Sequence, residues 1–371
     1  MLATAPVLEE AAPPTFTRRQ VRRVADMATV LFGFATMIAA LALIAAIPGV
    51  QLVSLGYLLE AEGRVARTNR IWGALPGLRT LARVGGAALG VLLTLLPWIV
   101  LRDLRHDALL IDPASHASRN LTVLSLVFGL GGAANAALAL ARGGRLRWFF
   151  NPFANLRWAL ARVRSGEGLR LPLDAIRGLR LPHYFVLGLK GFVAALAWIA
   201  VPTALLAAGP RHPVIAFFGG VLLAVFVIPL PLLQAHLAAT GRLRAGFELG
   251  EVWRRYRRAP IASLMALVLT LVLAVPLYLL KLELIPRDAL ELAAGVFLLT
   301  ILPTKLAAGK AYARGGREGR AFFPLRFVAA LLALAVAGAY VVVLFVTRLI
   351  EWRGAIGLFE QHAFLVPVAF Y

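Results

Sequence analysis

The chain has 371 residues, 60% of them apolar, and a mean hydropathy of +0.81, which leaves too little polar surface for a soluble protein of this length. Its 39 basic residues against 18 acids give a net charge of +21, but they lie between apolar runs and not on one soluble face, so no nucleic-acid partner is expected. The absence of cysteine excludes disulfides, thiolate metal sites and cysteine nucleophiles, and the continuous apolar runs do not alternate as the strands of a membrane barrel do.

In chain order, residues 1–26 read as a disordered cytoplasmic segment, broken by Pro6, Pro13 and Pro14 and ending in Arg18, Arg19, Arg22 and Arg23. Met27–Leu59 is over-long for one membrane span and is interrupted at Pro48-Gly49. Further apolar runs follow at Val84–Leu101, Leu121–Ala141, Tyr184–Ala208, Val214–Ala239, Ile261–Leu280, Ala289–Ala308 and Phe327–Thr347. Their connections alternate in charge. Residues 60–83, 142–183, 240–260 and 305–326 are basic, and with the N-terminal arginines they hold 30 of the 39 lysines and arginines. The positive-inside rule places them in the cytoplasm and the tail 348–371 outside. The fold class expected is therefore all-α: a polytopic transmembrane helix bundle over 27–347 with about eight membrane segments.

The first run carries a conflict, because the arginines before it and the basic segment after it both call for the inside. A hairpin resolves it, with Met27–Ile47 entering, a turn at Pro48-Gly49, and Val50–Leu59 returning. Ten residues reach only about 15 Å at 1.5 Å per residue, so the return limb must continue toward Arg64 or Arg67, or the turn must be re-entrant, with Gln51 and Ser54 serving freed backbone groups. An external N-terminus and a cleaved leader ending near Ala40-Leu41-Ala42 are the two rivals. A weak repeat also runs through the chain. Outward runs carry a late proline at 97, 202 and 276, and inward runs are followed by Gly63-Arg64, Gly144-Arg145, Gly241-Arg242 and Gly309-Lys310. Small residues at helix-packing spacing recur at Gly86-x-x-x-Gly90 and at Gly129, Gly131 and Gly132.

Three stretches were weighed for chemistry. In Phe247–Arg258, Leu249, Val252, Trp253 and Tyr256 recur at helical spacing while Arg254, Arg255, Arg257 and Arg258 take the other faces. This predicts an interfacial helix contacting anionic headgroups of the inner leaflet through Trp253, Arg254, Arg255, Arg257 and Arg258. A comparable helix is predicted from Asn151-Pro152 to Arg164, with Asn151 as N-cap. In Arg102–Asn120, the side chains of Asp103, His106, Asp107, Asp112 and His116 match no ligand spacing and have arginines near them, so a solvated loop is expected. The centres of the apolar runs hold no carboxylate. Lys190 is placed to snorkel, Gln234 and His236 lie near the inner end of their run, and Asn135, Thr270 and Thr300 read as interhelical hydrogen-bonding groups. Prolines 202, 229, 231, 276 and 303 break helices and free carbonyls, which keeps transport open. No catalytic residue, cofactor site or metal site is read.

Ile47-Pro48, Gly56-Tyr57-Leu58-Leu59, Pro76, Gly85-Gly86 and Leu96-Pro97 resemble the opening of an uncharacterised family of bacterial and archaeal polytopic membrane proteins, known as a domain of unknown function. The likeness covers residues 30–100; it implies a multi-span membrane protein and brings no activity or site residues. The expectation is an integral protein of the cytoplasmic membrane, with membrane lipids as its partners and protein partners undetermined. It would be non-catalytic and act through lipid or protein contacts, with a transporter or permease for a lipid or small solute as the alternative.

Overall fold

The computed structural model describes residues 16–166, 178–209, 212–281, 290–317, 319–350, 358 and 362. Among these residues every regular element is helical, in agreement with the all-α class. Six helices are long and apolar enough to cross a membrane, or up to eight if each of two bent pairs counts as one span. Their outer faces are apolar as well: of the 34 residues of helix Leu78–Ile111, only Leu81, Ala82 and Gly90 are buried. Water is a poor solvent for such a surface and hydrocarbon a good one. The chain is a multi-pass integral membrane protein.

The chain falls into two compact units where a single bundle over 27–347 was expected. One unit comprises residues 1–36 and 78–175, the other residues 37–77 and 176–371. Helix α1 (Phe16–Ala45) belongs partly to each. It starts at Phe16, inside the stretch expected to be disordered, because the last helix-breaking proline is Pro14 and nothing after it opposes a helix.

In the first unit, α3 (Leu78–Ile111) and α4 (His116–Ala141) pack along each other. Two short side chains set the turn between them. Asp112 Oδ1 accepts from the Ala114 N–H at 2.9 Å, and Ser115 caps α4 by accepting from the Ser118 N–H at 3.1 Å. After α4 come α5 (Leu146–Phe149) and α6 (Pro152–Arg164), the latter capped by Asn151, which accepts from the Ala154 N–H at 3.0 Å, as expected. Asn155 is buried and donates to Asn135 Oδ1 at 2.8 Å and to the Trp148 carbonyl at 2.7 Å, while Asn135 donates to the Phe149 carbonyl at 2.9 Å. The Arg142 guanidinium lies 3.5 Å from the centre of the Trp148 ring. The two amides thus satisfy the carbonyls of the short α5 turn that no helix can serve. Gly90 faces the Phe149 ring and Gly129 the Trp98 ring, but Gly86 and Gly131 face open space, so the expected small-residue stripe packs only in part.

The second unit is built around α2 (Gln51–Thr68), 13 of whose 18 residues are buried. The turn before it includes Gly49 at φ 80°, and Ser54 Oγ donates to the Leu41 carbonyl at 2.8 Å. The break between the two helices falls at Pro48-Gly49, where the sequence interrupts the apolar run. α2 then runs on to Thr68, about 27 Å at 1.5 Å per residue, so its first half is the expected apolar limb and the helix continues past Arg64 and Arg67 into the basic segment. Its neighbours are α7 (Leu181–Ala207), α9 (Leu230–Thr240) and α12 (Leu290–Arg317). α2 meets α7 backbone to backbone: a Cβ at Gly56 would lie 1.7 Å from the Tyr184 carbonyl oxygen, and one at Gly188 would lie 1.9 Å from that of Leu52. A Cβ at Gly63 would lie 2.3 Å from the Ala238 carbonyl oxygen of α9, and one at Gly309 of α12 would lie 2.5 Å from that of Glu62. Gly63 and Gly309 are therefore contact glycines inside helices. Of the four Gly-Arg or Gly-Lys pairs only Gly144 and Gly241 sit after a helix end with positive φ, so the apparent repeat mixes two different devices.

The remaining helices complete this unit. α8 (Pro213–Val227) and α9 form a bent pair at 44°, with Pro229 at the bend. Residues Leu230–Ala238 of α9 are all buried. α10 (Leu249–Arg258) is bent by 110° from α11 (Pro260–Lys281), which packs on α12 and α13 (Phe323–Ile350). Of the tail beyond Ile350 only Leu358 and His362 are described. His362 is buried, its Nε2 2.9 Å from Thr203 Oγ1 and its Nδ1 3.0 Å from the Tyr340 hydroxyl.

Candidate functional site

Among its described residues the second unit holds one fully buried acid, Glu62 of α2, at 0% exposure. Lys305 of α12, itself buried, stands with Nζ 3.4 Å from Glu62 Oε2 and donates to Gln234 Oε1 of α9. Neither carboxylate oxygen of Glu62 receives a hydrogen bond. The three side chains border a cavity of about 10 Å³, room for one water molecule, which Thr270 and Thr304 also line. Both threonine hydroxyls donate to their own helices, to the Ala266 and Ile301 carbonyls, which leaves their lone pairs available. Val227, at the end of α8, completes the wall on one side. The residue four positions on is Pro231, which has no N–H to return to the Val227 carbonyl.

This centre was not expected. By charge and hydropathy Glu62 and Lys305 both fall in basic segments, outside the carboxylate-free centres of the apolar runs. The correction has a local cause: α2 and α12 do not stop where their hydropathy falls, because both acid and base are covered by neighbouring helices. Gln234 and His236, expected near the inner end of a run, lie on the buried part of α9.

Next to it, His236 joins three elements. Its Nδ1 is 2.7 Å from the Tyr312 hydroxyl and its Nε2 is 2.8 Å from Glu248 Oε2. Cationic side chains close the helix ends around it. Arg67 donates to the Ala238 carbonyl at 3.1 Å, Lys190 to that of Gly241 at 2.9 Å, and Lys310 to that of Asn69 at 2.7 Å. These carbonyls are the unpaired negative ends of α9 and α2, where a cation is favourable. Lys190, expected to snorkel to the inner interface, reaches the end of α9.

The hydrogen bond from His236 holds the Glu248 carboxyl below its usual range; partial desolvation opposes this, and the charges of His236, Arg242 and Arg244 add to it. A depressed carboxyl stabilises the fold above the ordinary carboxylate range, and that contribution is lost as pH falls through the lower folded-state value. The Glu248→Gln variant should therefore show a flatter acid limb when thermal unfolding is followed against pH. Coincident limbs for the variant and the parent would remove this role.

A helix stands where one was predicted, as α10, and part of its apolar face is covered by protein. Val252 and Tyr256 are buried, while Trp253 is 37% exposed. α10 packs against α12, and the Tyr256 hydroxyl donates to the Ala329 carbonyl of α13 at 3.4 Å. The predicted arginines divide. Arg255 is bound to Glu251 at 2.7 Å and to the Tyr312 carbonyl at 3.1 Å, and its guanidinium lies 3.7 Å from the Tyr312 ring centre. Arg254, Arg257 and Arg258 line an open groove with Trp253, and the far wall comes from Arg317, the last residue of α12, and Arg320 just after it. No described acid lines this groove, although Glu251 binds Arg254 from its edge. Arg317 and Arg320 were not singled out from sequence; their recruitment depends on Gly315, whose missing side chain lets α12 close on the Arg255 backbone.

Asp103, His106, Asp107, Asp112 and His116 do not converge. All five are exposed, most of the stretch is helical, Asp103 pairs with Arg102 at 3.1 Å, and Asp112 serves the turn. Among the described residues no group of His, Asp and Glu is placed to hold a metal ion. No protein-family model matches the chain, and no curated protein or solved structure matches it either.

Proposed function

We propose that this integral membrane protein is non-catalytic, resides in the cytoplasmic membrane, and acts through contact with anionic lipid headgroups at the inner leaflet. The observation that carries the reading is the groove between α10 and the end of α12, where Trp253 stands among Arg254, Arg257, Arg258, Arg317 and Arg320. Arg257, Arg258 and Arg320 have no ion-pair partner among the described residues. Guanidiniums bind phosphate oxygens in bidentate fashion, and an exposed indole favours the headgroup level.

Each such charge near an anionic surface is worth about 1 kcal/mol. Replacing Arg254, Arg257, Arg258 and Arg320 together by Gln should therefore reduce the anionic lipid that co-purifies with the protein by about two to three orders of magnitude in affinity. Arg255 is left in place because it holds α10 to α12. Unchanged lipid content in the quadruple variant defeats the reading.

A permease for a lipid or small solute is the second reading. It is favoured by the break between α8 and α9 beside the buried Glu62, Lys305 and Gln234, since broken helices and buried charge mark substrate and ion paths. Solute flux in proteoliposomes that is abolished by altering this centre, and unaffected by the arginine substitutions, would make it the better account.

A further inference from the structure

The groove does not explain why Glu62 is where it is. A buried ion pair is a poor way to stabilise a helix bundle. Each ion loses its hydration at a cost of several kcal/mol, and the attraction repays this only where hydrogen bonds complete the geometry. Here they are incomplete on the acid's side. Lys305 is held by Gln234, and Glu62 has a counter-charge at 3.4 Å but no hydrogen bond to either oxygen. A protonated carboxylic acid would need less. It carries no charge, and its O–H can donate to a water in the adjoining cavity or to a lone pair of Thr270 or Thr304.

We propose that the centre formed by Glu62, Lys305 and Gln234 is a proton-binding site, in which Glu62 exchanges a proton through the one-water cavity at the α8–α9 break. The step balances simply. A proton from water adds to a carboxylate oxygen of Glu62, one O–H bond forms, and the net charge of the centre rises by one while Lys305 keeps its hydrogen to Gln234. In the charged state the ammonium bridges α2, α9 and α12. In the protonated state the attraction between Lys305 and α2 is gone, and Lys305 holds α9 alone. The bound proton thus decides whether Lys305 holds α2 as well as α9.

The neighbouring titratable groups do not take this role. On α9, His236 is occupied by Tyr312 and Glu248. On α12, Lys310 is bound to the Asn69 carbonyl. On α7, His183 and Tyr184 face the Glu60 end of α2, with His183 Nε2 3.6 Å from Glu60 Oε2 and the Tyr184 ring packed edge-on against Tyr57. Lys190 of the same helix reaches the Gly241 carbonyl. On α2 itself, Glu60 is paired with Arg64 and Arg67 at 3.0 and 3.3 Å.

Infrared difference spectroscopy of the full chain in lipid nanodiscs reads the proton directly. Between about pH 9 and about pH 5, the span over which carboxyls in dry sites titrate, the parent should gain the C=O stretch of a protonated carboxylic acid. The Glu62→Gln variant and the Glu62→Gln/Lys305→Gln double variant should lack that band. The double variant is charge-neutral and keeps the test intact if a lone Lys305 prevents folding. In Lys305→Met the band should persist to higher pH, because the counter-charge that favours the carboxylate is gone. A parent spectrum with no such band over the whole range, or a band of equal size in the double variant, overturns the proposal. The outcome is independent of the lipid content measured for the arginine variants.

Discussion

Substitution of Gly56 or Gly188 by alanine should already impair folding, and substitution by leucine should prevent a folded protein from accumulating. The cause is steric and lies in the backbone. A Cβ at Gly56 would stand 1.7 Å from the Tyr184 carbonyl oxygen and one at Gly188 would stand 1.9 Å from that of Leu52, so no rotamer change relieves it. Overpacking in ordinary cores costs about 1–3 kcal/mol. Here α2 and α7 must separate along their whole contact, and a loss of about 4 kcal/mol or more is expected, enough to unfold a marginal protein. Gly86→Ala is the control: it faces open space, and removing a helical glycine should raise stability by about 0.5–1 kcal/mol. Thermal aggregation in detergent checks all three; Gly56→Ala and Gly86→Ala shifting together would show that the α2–α7 contact is not the constraint described.

The second large effect belongs to the charge pair. Lys305→Met leaves Glu62 charged and without a counter-ion in a dry site, and should cost about 3–5 kcal/mol at alkaline pH. The double variant Glu62→Gln/Lys305→Met should cost less than half of that, because no unpaired charge remains, giving a coupling of about 2 kcal/mol in the cycle. The penalty in the single variant should shrink as pH is lowered, since a protonated Glu62 no longer needs its partner. Denaturant or thermal unfolding of the four proteins at two pH values gives all the terms. Equal penalties in the single and double variants would mean that the two charges do not support each other.

Hydropathy located the membrane-spanning helices because lipid contact demands long apolar stretches whatever the fold. The Asn151 cap, the turn at Pro48-Gly49 and the amphipathic α10 were also legible, each being fixed by local chemistry. The buried centre was not found, although a signal was present. Glu62 continues the helical stripe Leu55, Leu58, Leu59, Glu62, Ala66, and Lys305 continues Leu298, Ile301, Leu302, Lys305, Ala308. An ionisable residue in phase with an apolar stripe points at the core; averaging charge over a segment hides that phase. Arg317 and Arg320 were beyond reach for another reason. They join the groove only through tertiary packing of α12 on α10, which no local pattern encodes. The split into two units was equally hidden, since it depends on which helices pack and not on which are apolar.

Helix α3 sets a ruler for the bilayer. Arg83 and Arg102 bound an uncharged stretch of 18 residues, Val84–Leu101, which at 1.5 Å per residue is about 27 Å long. Hydrocarbon cores average about 30 Å, so this helix has no surplus length to absorb by leaning over. It must stand nearly upright, and a thick, ordered membrane must thin around it or force its arginines to reach outward. By its length α3 suits a thin bilayer, and the thickness of the surrounding membrane becomes a condition on how this helix is seated.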